Sequence, residues 1–358
     1  MKKKKFAYET DELAIVFYST FGLGDAVIAR KAFEAIIELA PNCVADFFCL
    51  TDAHRKYAES FYSDIKNLNR FLNPEEYAAN IKKYDLALCI GGCHVILFEY
   101  ANPQRLQAMA PKLFEATNKI EMYNRQHVYG LGPWKLTVAF RNMISAEIIG
   151  KNCFFFMSCG GALPIRDDNL YIPLNPDFKK QFDALKLKKY ITIYTDIDQS
   201  EKDLPKVKTW PIRYYNEYIA RMKKRFPNIE IVQCGGSGDV KVESADRHYL
   251  GVDLELTKHI LSNSLLLVGC EGGLVHLATF LGTKCLVLFG SSDATYFGYN
   301  QNINLVSEIC QPCMYIVPSF QICMRGNKEP PCMLSHTPQN VCEVTCNYLN
   351  RLDLENKA

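Results

Sequence analysis

Three stretches of this sequence place reactive residue types beside glycines or helix starts. The first is Phe21-Gly22-Leu23-Gly24-Asp25, after the apolar run Leu13 to Tyr18. Two glycines let the backbone turn tightly and approach a ligand closely. Asp25 then opens a helical stretch, where it serves either as a plain cap or as a general base kept ionised by the helix start. Val27 stands where a dinucleotide fingerprint needs its third glycine. The second stretch is Cys270-Glu271-Gly272-Gly273-Leu274-Val275-His276, again leading from a strand into a helix. A carboxylate at Glu271 can grip ribose or sugar hydroxyls, and the N–H groups of Gly272, Gly273 and Leu274 can form an anion site at the helix start. His276 falls in the first turn, either within reach of a phosphate or as a half-buried helix histidine. The third is Lys206-Val207-Lys208-Thr209-Trp210-Pro211, before a helix that Pro211 suits. Lys208 can neutralise a departing diphosphate or stand solvated beside a packed tryptophan.

The elements that position these residues alternate. Leu13 to Tyr18, Val44 to Leu50, Tyr84 to Ile90, Tyr190 to Tyr194, Ile229 to Cys234, Leu265 to Val268 and Cys285 to Phe289 read as strands. Amphipathic helices are predicted over Ala26 to Leu39, Gln104 to Thr117, Leu136 to Ile149, Pro211 to Phe226, Leu254 to Ser262, Gly273 to Leu281 and Val341 to Leu352. That alternation predicts an α/β chain with parallel sheets. At 358 residues it exceeds one ordinary core, which predicts two Rossmann-like domains facing a cleft. The expected division is 1–175, 176–335 with a Cys-rich loop at 310–332, and a terminal helix in 336–358 directed back toward the first domain. Ligands of open α/β sheets bind at the carboxyl ends of strands. Two further turns at such ends, Thr195-Asp196-Ile197-Asp198 and Gly235-Gly236-Ser237-Gly238, add Thr195 and Gly236 to the expected donor-binding set. Asp196 and Asp198 mimic a metal-binding Asp-x-Asp, but the surrounding organisation is wrong for one. Solvated aspartates or turn caps are expected instead.

In register, the motifs resemble those of the heptosyltransferases, glycosyltransferase family 9. Gly24-Asp25 resembles the family's Gly-Asp, and Lys208-Thr209-Trp210-Pro211 its Lys-x-Trp-Pro. Glu271 to Ala278, followed by Leu286 to Asp293, resembles its Asp-(Ser/Thr)-Gly-x-x-His-x-Ala segment and the strand-Gly-x-x-Asp after it. The resemblance covers Leu13 to Leu39 and Ile191 to Asp293 and is poor over Glu99 to Pro176. It implies a GT-B fold and inverting transfer of a heptose-like sugar from a nucleoside-diphosphate donor, ADP-heptose, to a lipopolysaccharide core or related glycan. Asp25 carries over as base and Lys208 as stabiliser of the leaving group. Gly24, Thr195, Lys208, Gly236, Glu271, Gly272, Gly273, Leu274 and His276 carry over as the donor site, with no catalytic metal or other cofactor. This chain departs in having Glu271 for Asp, Gly272 for Ser or Thr, and Asp196 and Asp198 where small neutral residues are usual.

Other classes fit the sequence less well. A non-catalytic module of the same fold with a metal-stapled partner surface is disfavoured by Asp25, Lys208 and His276 standing together. An epimerase or dehydrogenase is disfavoured by the incomplete glycine fingerprint. A net charge of +2 excludes a dedicated nucleic-acid binder. No apolar run is long enough to span a bilayer and no secretory leader is read, so a cytoplasmic protein is expected. Lys2 to Lys5 are either a solvated tail or a peripheral contact with the anionic inner face of the inner membrane. Of fifteen cysteines, Cys49, Cys89, Cys234 and Cys285 lie in apolar strands and read as buried reduced thiols. Cys310, Cys313, Cys323 and Cys332 have the spacing of a structural zinc or iron knuckle, with reduced thiols or oxidised pairs as alternatives.

Overall fold

The computed structural model describes residues 5–19, 22–91, 94–129, 135–197, 206–316 and 321–355. Lys2 to Lys4, Phe21 and Asp198 lie outside the described residues. The chain divides into two compact units, Met1–Pro173 and Leu174–Ala358.

The first unit carries strands β1 (Ala14–Ser19), β2 (Val44–Phe48), β3 (Leu68–Leu72), β4 (Leu86–Ile90) and β5 (Ile96–Ala101) in the order β3-β2-β1-β4-β5. Helices α1 (Leu23–Leu39), α2 (Asp52–Tyr62), α3 (Pro74–Asn80), α4 (Pro103–Met109), α5 (Pro111–His127), α6 (Lys135–Ile149) and α7 (Cys153–Met157) complete it. The first four strands pair in parallel, and β5 returns antiparallel to β4 as an edge. The strands β3 and β5 lie where the sequence pattern marks no strand. Their half-exposed or exposed polar residues, such as Asn69, Arg70 and Glu99, interrupt the apolar run by which a buried strand is recognised. The helix expected over 104–117 is two helices. Pro111 begins the second, and Ala110 before it is driven to φ −144°, ψ 68° because proline excludes helical geometry from its predecessor.

The second unit carries β6 (Tyr190–Tyr194), β7 (Glu230–Gly235), β8 (Arg247–Leu250), β9 (Leu267–Cys270), β10 (Cys285–Phe289) and β11 (Ile303–Val306). All pair in parallel, in the order β11-β10-β9-β6-β7-β8. Helices α8 (Lys179–Ala184), α9 (Ile212–Arg225), α10 (Leu254–Ser262), α11 (Gly273–Phe280), α12 (Ala294–Phe297), α13 (Pro331–Leu334) and α14 (Pro338–Glu355) surround this sheet. The terminal helix α14 sets Val341, Cys342, Cys346 and Leu349 into the core of this second unit, with Tyr218 and Met222 of α9. Among the described residues no helix is long and apolar enough to cross a membrane.

Strand order marks where an open α/β sheet offers a ligand site. In each sheet the first strand of the unit has neighbours on both sides, and the chain reverses direction of sheet growth there. The crevice at the carboxyl end of such a strand is the usual ligand site of an open α/β sheet. In the first unit that end is β1, leading into Asp25. In the second it is the adjacent pair β6 and β9, leading into Thr195-Asp196 and Glu271.

Candidate active site

In the first unit, Asp25 stands in the first turn of α1, with Gly22 in extended geometry as the cap residue. The helix is anchored from beneath. Arg30, 3% exposed, pairs with Glu34 and Asp64 at 2.7 Å each. Lys31 reaches Asp167 at 2.7 Å and the Asn169 carbonyl at 2.6 Å. His94, in the loop after β4 and at φ 60°, faces the carboxylate, its Nε2 3.9 Å from Asp25 Oδ1. Gly24 lies within the first turn of α1 and leaves the backbone beside Asp25 without a side chain.

In the second unit the remaining predicted residues converge. The register of β6 on β9, Tyr194 opposite Gly269, brings the loops after both strands to one edge. A Cβ on Gly269 would lie 2.7 Å from the Tyr194 carbonyl oxygen, so only glycine permits this approach. Glu271, 5% exposed, is the first residue beyond β9, because that strand runs to Cys270 rather than ending at Val268 as the apolar run suggested. Lys208 Nζ donates to Glu271 Oε2 at 3.1 Å and stands 3.7 Å from Asp196 Oδ2. His276 Nε2 lies 3.5 Å from Glu271 Oε1, and its Nδ1 pairs with the Tyr299 hydroxyl at 2.7 Å. Gly272 caps α11, and Gly273 and Leu274 begin it. Thr195 is fully buried directly after β6, and Gly236 follows β7.

Lys208 owes its position to local sequence. Thr209 folds back on Lys206, its N–H donating to the Lys206 carbonyl at 3.0 Å and its hydroxyl at 2.7 Å. Trp210 is fully buried against Tyr215, ring centroids 4.8 Å apart. Its backbone N–H donates to Cys270 Sγ at 3.1 Å and its Nε1 to the His336 carbonyl at 2.8 Å. The tryptophan therefore ties the lysine turn to the end of β9, where the glutamate emerges.

The electrostatics follow from burial and pairing. Burial works to raise the Glu271 carboxyl, but Lys208 and His276 outweigh it and hold it down at about 2. Burial likewise opposes the Lys208 ammonium, and Glu271 and Asp196 overcome that to hold its pKa above the usual lysine value. The cluster thus keeps both charges at neutral pH. Asp196 is not the solvated turn cap expected from the sequence. Its carboxylate accepts from the Tyr194 hydroxyl at 2.8 Å and from Lys206 at 3.3 Å, and its backbone takes φ 53°.

Every described cysteine is a free thiol, and Cys49, Cys89, Cys234 and Cys285 are buried. Cys310, Cys313, Cys323 and Cys332 line one cavity of about 270 Å³, together with Val207 of the lysine turn and Ser291. Burial, and then the neighbouring Cys310 and Cys313, push the Cys332 thiol up to about 12. Among the described residues no three His, Cys, Asp or Glu side chains are drawn together as a metal-holding group.

Sequence reasoning does not place Lys206, Tyr299 and His94 beside the predicted site residues, and it reads Asp196 as solvated or as a turn cap. Only strand register and side-chain direction bring them there, and neither is visible as a motif.

Comparison with known proteins follows the same lines. The family model for glycosyltransferase family 9 (heptosyltransferase) matches residues 108–322. Among solved structures, the ADP-heptose lipopolysaccharide heptosyltransferase II of E. coli is 14% identical, with a TM-score of 0.58 over 96% of this chain and all of the other. The family 9 glycosyltransferase from Veillonella parvula is 13% identical, with a TM-score of 0.62 over 97% of this chain and 99% of the other. TibC of E. coli, an iron-containing dodecameric heptosyltransferase, is 12% identical, with a TM-score of 0.58 over 96% of this chain and 79% of the other. No curated protein matches. These likenesses identify the fold as GT-B. With three-fifths of its length under the family model, the chain belongs to glycosyltransferase family 9, the heptosyltransferases.

Proposed function

We propose that the protein transfers a heptose-like sugar from ADP-heptose to a hydroxyl of a lipopolysaccharide core or related surface glycan, with inversion at the anomeric carbon. The observation that supports this most is the Lys208–Glu271–His276 cluster at the carboxyl edge of β6 and β9. It offers a fixed cation for a diphosphate beside a carboxylate for sugar or ribose hydroxyls, at the end of the sheet where nucleotides bind. In the proposed reaction Asp25 takes the proton of the acceptor hydroxyl. The freed oxygen forms a bond to the anomeric carbon as the bond to the diphosphate oxygen breaks. Lys208 and the N–H groups at the start of α11 receive the negative charge that leaves with the nucleotide. A single displacement inverts the anomeric centre and needs no metal.

The test combines binding and turnover. A thermal-shift panel of nucleoside diphosphates and nucleotide sugars should single out the adenine series, since a ligand of the folded state alone raises the melting temperature. ADP-heptose with a heptose-deficient lipopolysaccharide acceptor should then release ADP and form the opposite anomer, read by NMR. A shift with another nucleotide alone, or retention of the anomer, overturns the proposal.

We further propose that Cys310, Cys313, Cys323 and Cys332 take a structural zinc or iron. Their support is the donor set itself, four thiols lining one cavity, which would have to draw closer together to hold a thiophilic ion. Metal analysis of the purified protein tests it. About one equivalent is expected, and less than about a tenth would refute it.

A further inference from the structure

The donor pocket already contains an anion of its own. Asp196 sits at the carboxyl end of β6, where a bound diphosphate would approach Lys208, and it holds two lysines at once. Its Oδ1 is 3.3 Å from Lys206 Nζ, and its Oδ2 is 3.7 Å from Lys208 Nζ. The Tyr194 hydroxyl donates to it at 2.8 Å. The side chains of Asp196 and Lys208 are each 17% exposed, so this is a partly buried cluster and not a loose surface pair.

Two features show that the arrangement is built and not incidental. Asp196 is held at φ 53°, a left-handed conformation that costs a non-glycine residue free energy and persists only where surrounding contacts impose it. Gly272 leaves room for the tyrosine that bonds it: a Cβ there would lie 3.0 Å from the Tyr194 ring. One residue before Asp196, the Thr195 hydroxyl is fully buried with no hydrogen-bond partner among the described residues, and the same holds for the Ser291 and Ser292 hydroxyls after β10. Buried hydroxyls are ordinarily satisfied, so these are groups that suit a polar ligand.

We propose that Asp196 is an internal counter-anion of the diphosphate pocket. Its carboxylate holds Lys206 and Lys208 in the ligand-free protein, must give up that pairing when a nucleoside diphosphate binds, and thereby sets a weak affinity. Two lysines face two carboxylates, Asp196 and Glu271, so the four groups are formally neutral. An incoming diphosphate must compete for cations already paired, and it meets a like charge at Asp196. Neutralising that one side chain leaves these four groups with a net positive charge. Lys206, which bonds Asp196 in the free protein, then becomes a second partner for the phosphate.

This inference rests on the donor-site reading above, and calorimetric titration of the full-length protein with ADP and with adenosine separates the two. Asp196→Asn and Asp196→Ser should each bind ADP about tenfold more tightly than the parent, because a like charge against an anionic ligand has gone. Adenosine affinity should not change, since adenosine carries no phosphate. Lys206→Ala should weaken ADP binding about threefold or more, with adenosine again unaffected. ADP binding by the parent that is unchanged or weakened in both Asp196 variants overturns the counter-anion while leaving the donor site intact. Absence of ADP binding in the parent and both variants overturns the donor site and the counter-anion together. A variant that does not fold is replaced by the other, and either one alone decides the sign.

Discussion

Removing the Lys208 charge should destabilise the second unit far more than a surface lysine would. Glu271 has 6% of its side chain exposed and Lys208 17%, with 3.1 Å between them. Truncating one partner of a buried ion pair leaves the other charge without compensation, which costs about 3–5 kcal/mol. Because part of the lysine reaches solvent, Lys208→Met should lie near the lower bound, about 3 kcal/mol. Replacing both members as Lys208→Met and Glu271→Leu removes the stranded charge. The double variant should therefore be more stable than the sum of the single losses predicts, with a coupling of about 2 kcal/mol. Urea unfolding read by tryptophan fluorescence in a Trp134→Phe background makes the fully buried Trp210 the reporter of the second unit. A loss below about 0.5 kcal/mol in Lys208→Met, or additivity in the double variant, would show the pair to be solvated and the reasoning wrong.

Three further outcomes follow from the same geometry. Asp25→Asn should lower sugar transfer by about a hundredfold or more, the usual share of a general base, with ADP affinity unchanged; turnover near the parent value removes Asp25 from that role. Glu271 titrates at about 2 in the fold against an ordinary 4.5, so its contribution to stability is complete above pH 4.5 and is lost as pH falls toward 2. Acid unfolding should lose about 3 kcal/mol from this group over that window, and Glu271→Gln should flatten the loss. Gly269→Ala should cost about 1–3 kcal/mol by pressing a methyl group onto the Tyr194 carbonyl oxygen, measured by the same urea titration.

Much of this was legible in the sequence, for physical reasons that differ by element. Buried parallel strands such as Leu86–Ile90 and Cys285–Phe289 are continuous apolar runs, and their periodicity leaves little choice. The strands β3 and β5 are half-exposed and carry charged residues, so they looked like connections. Asp25, Lys208, Glu271 and His276 stand out in the sequence because glycines and helix starts mark the loops that carry them. The side chains that pair with them do not. Asp196 reads as a turn residue until the Tyr194 and Gly269 register turns its carboxylate toward two lysines. His276 reads as an open phosphate ligand, whereas folding gives both its nitrogens partners, Glu271 and Tyr299. Tyr299 lies 23 residues further along, and no spacing rule joins them.

Calorimetric titration of ADP into the parent and Lys208→Ala tests most directly whether the second unit binds a nucleoside diphosphate through Lys208. Saturable binding of one equivalent by the parent, at least about tenfold weaker in the variant, is the predicted result. Equal affinity in the two proteins, with both folded by circular dichroism, would contradict it.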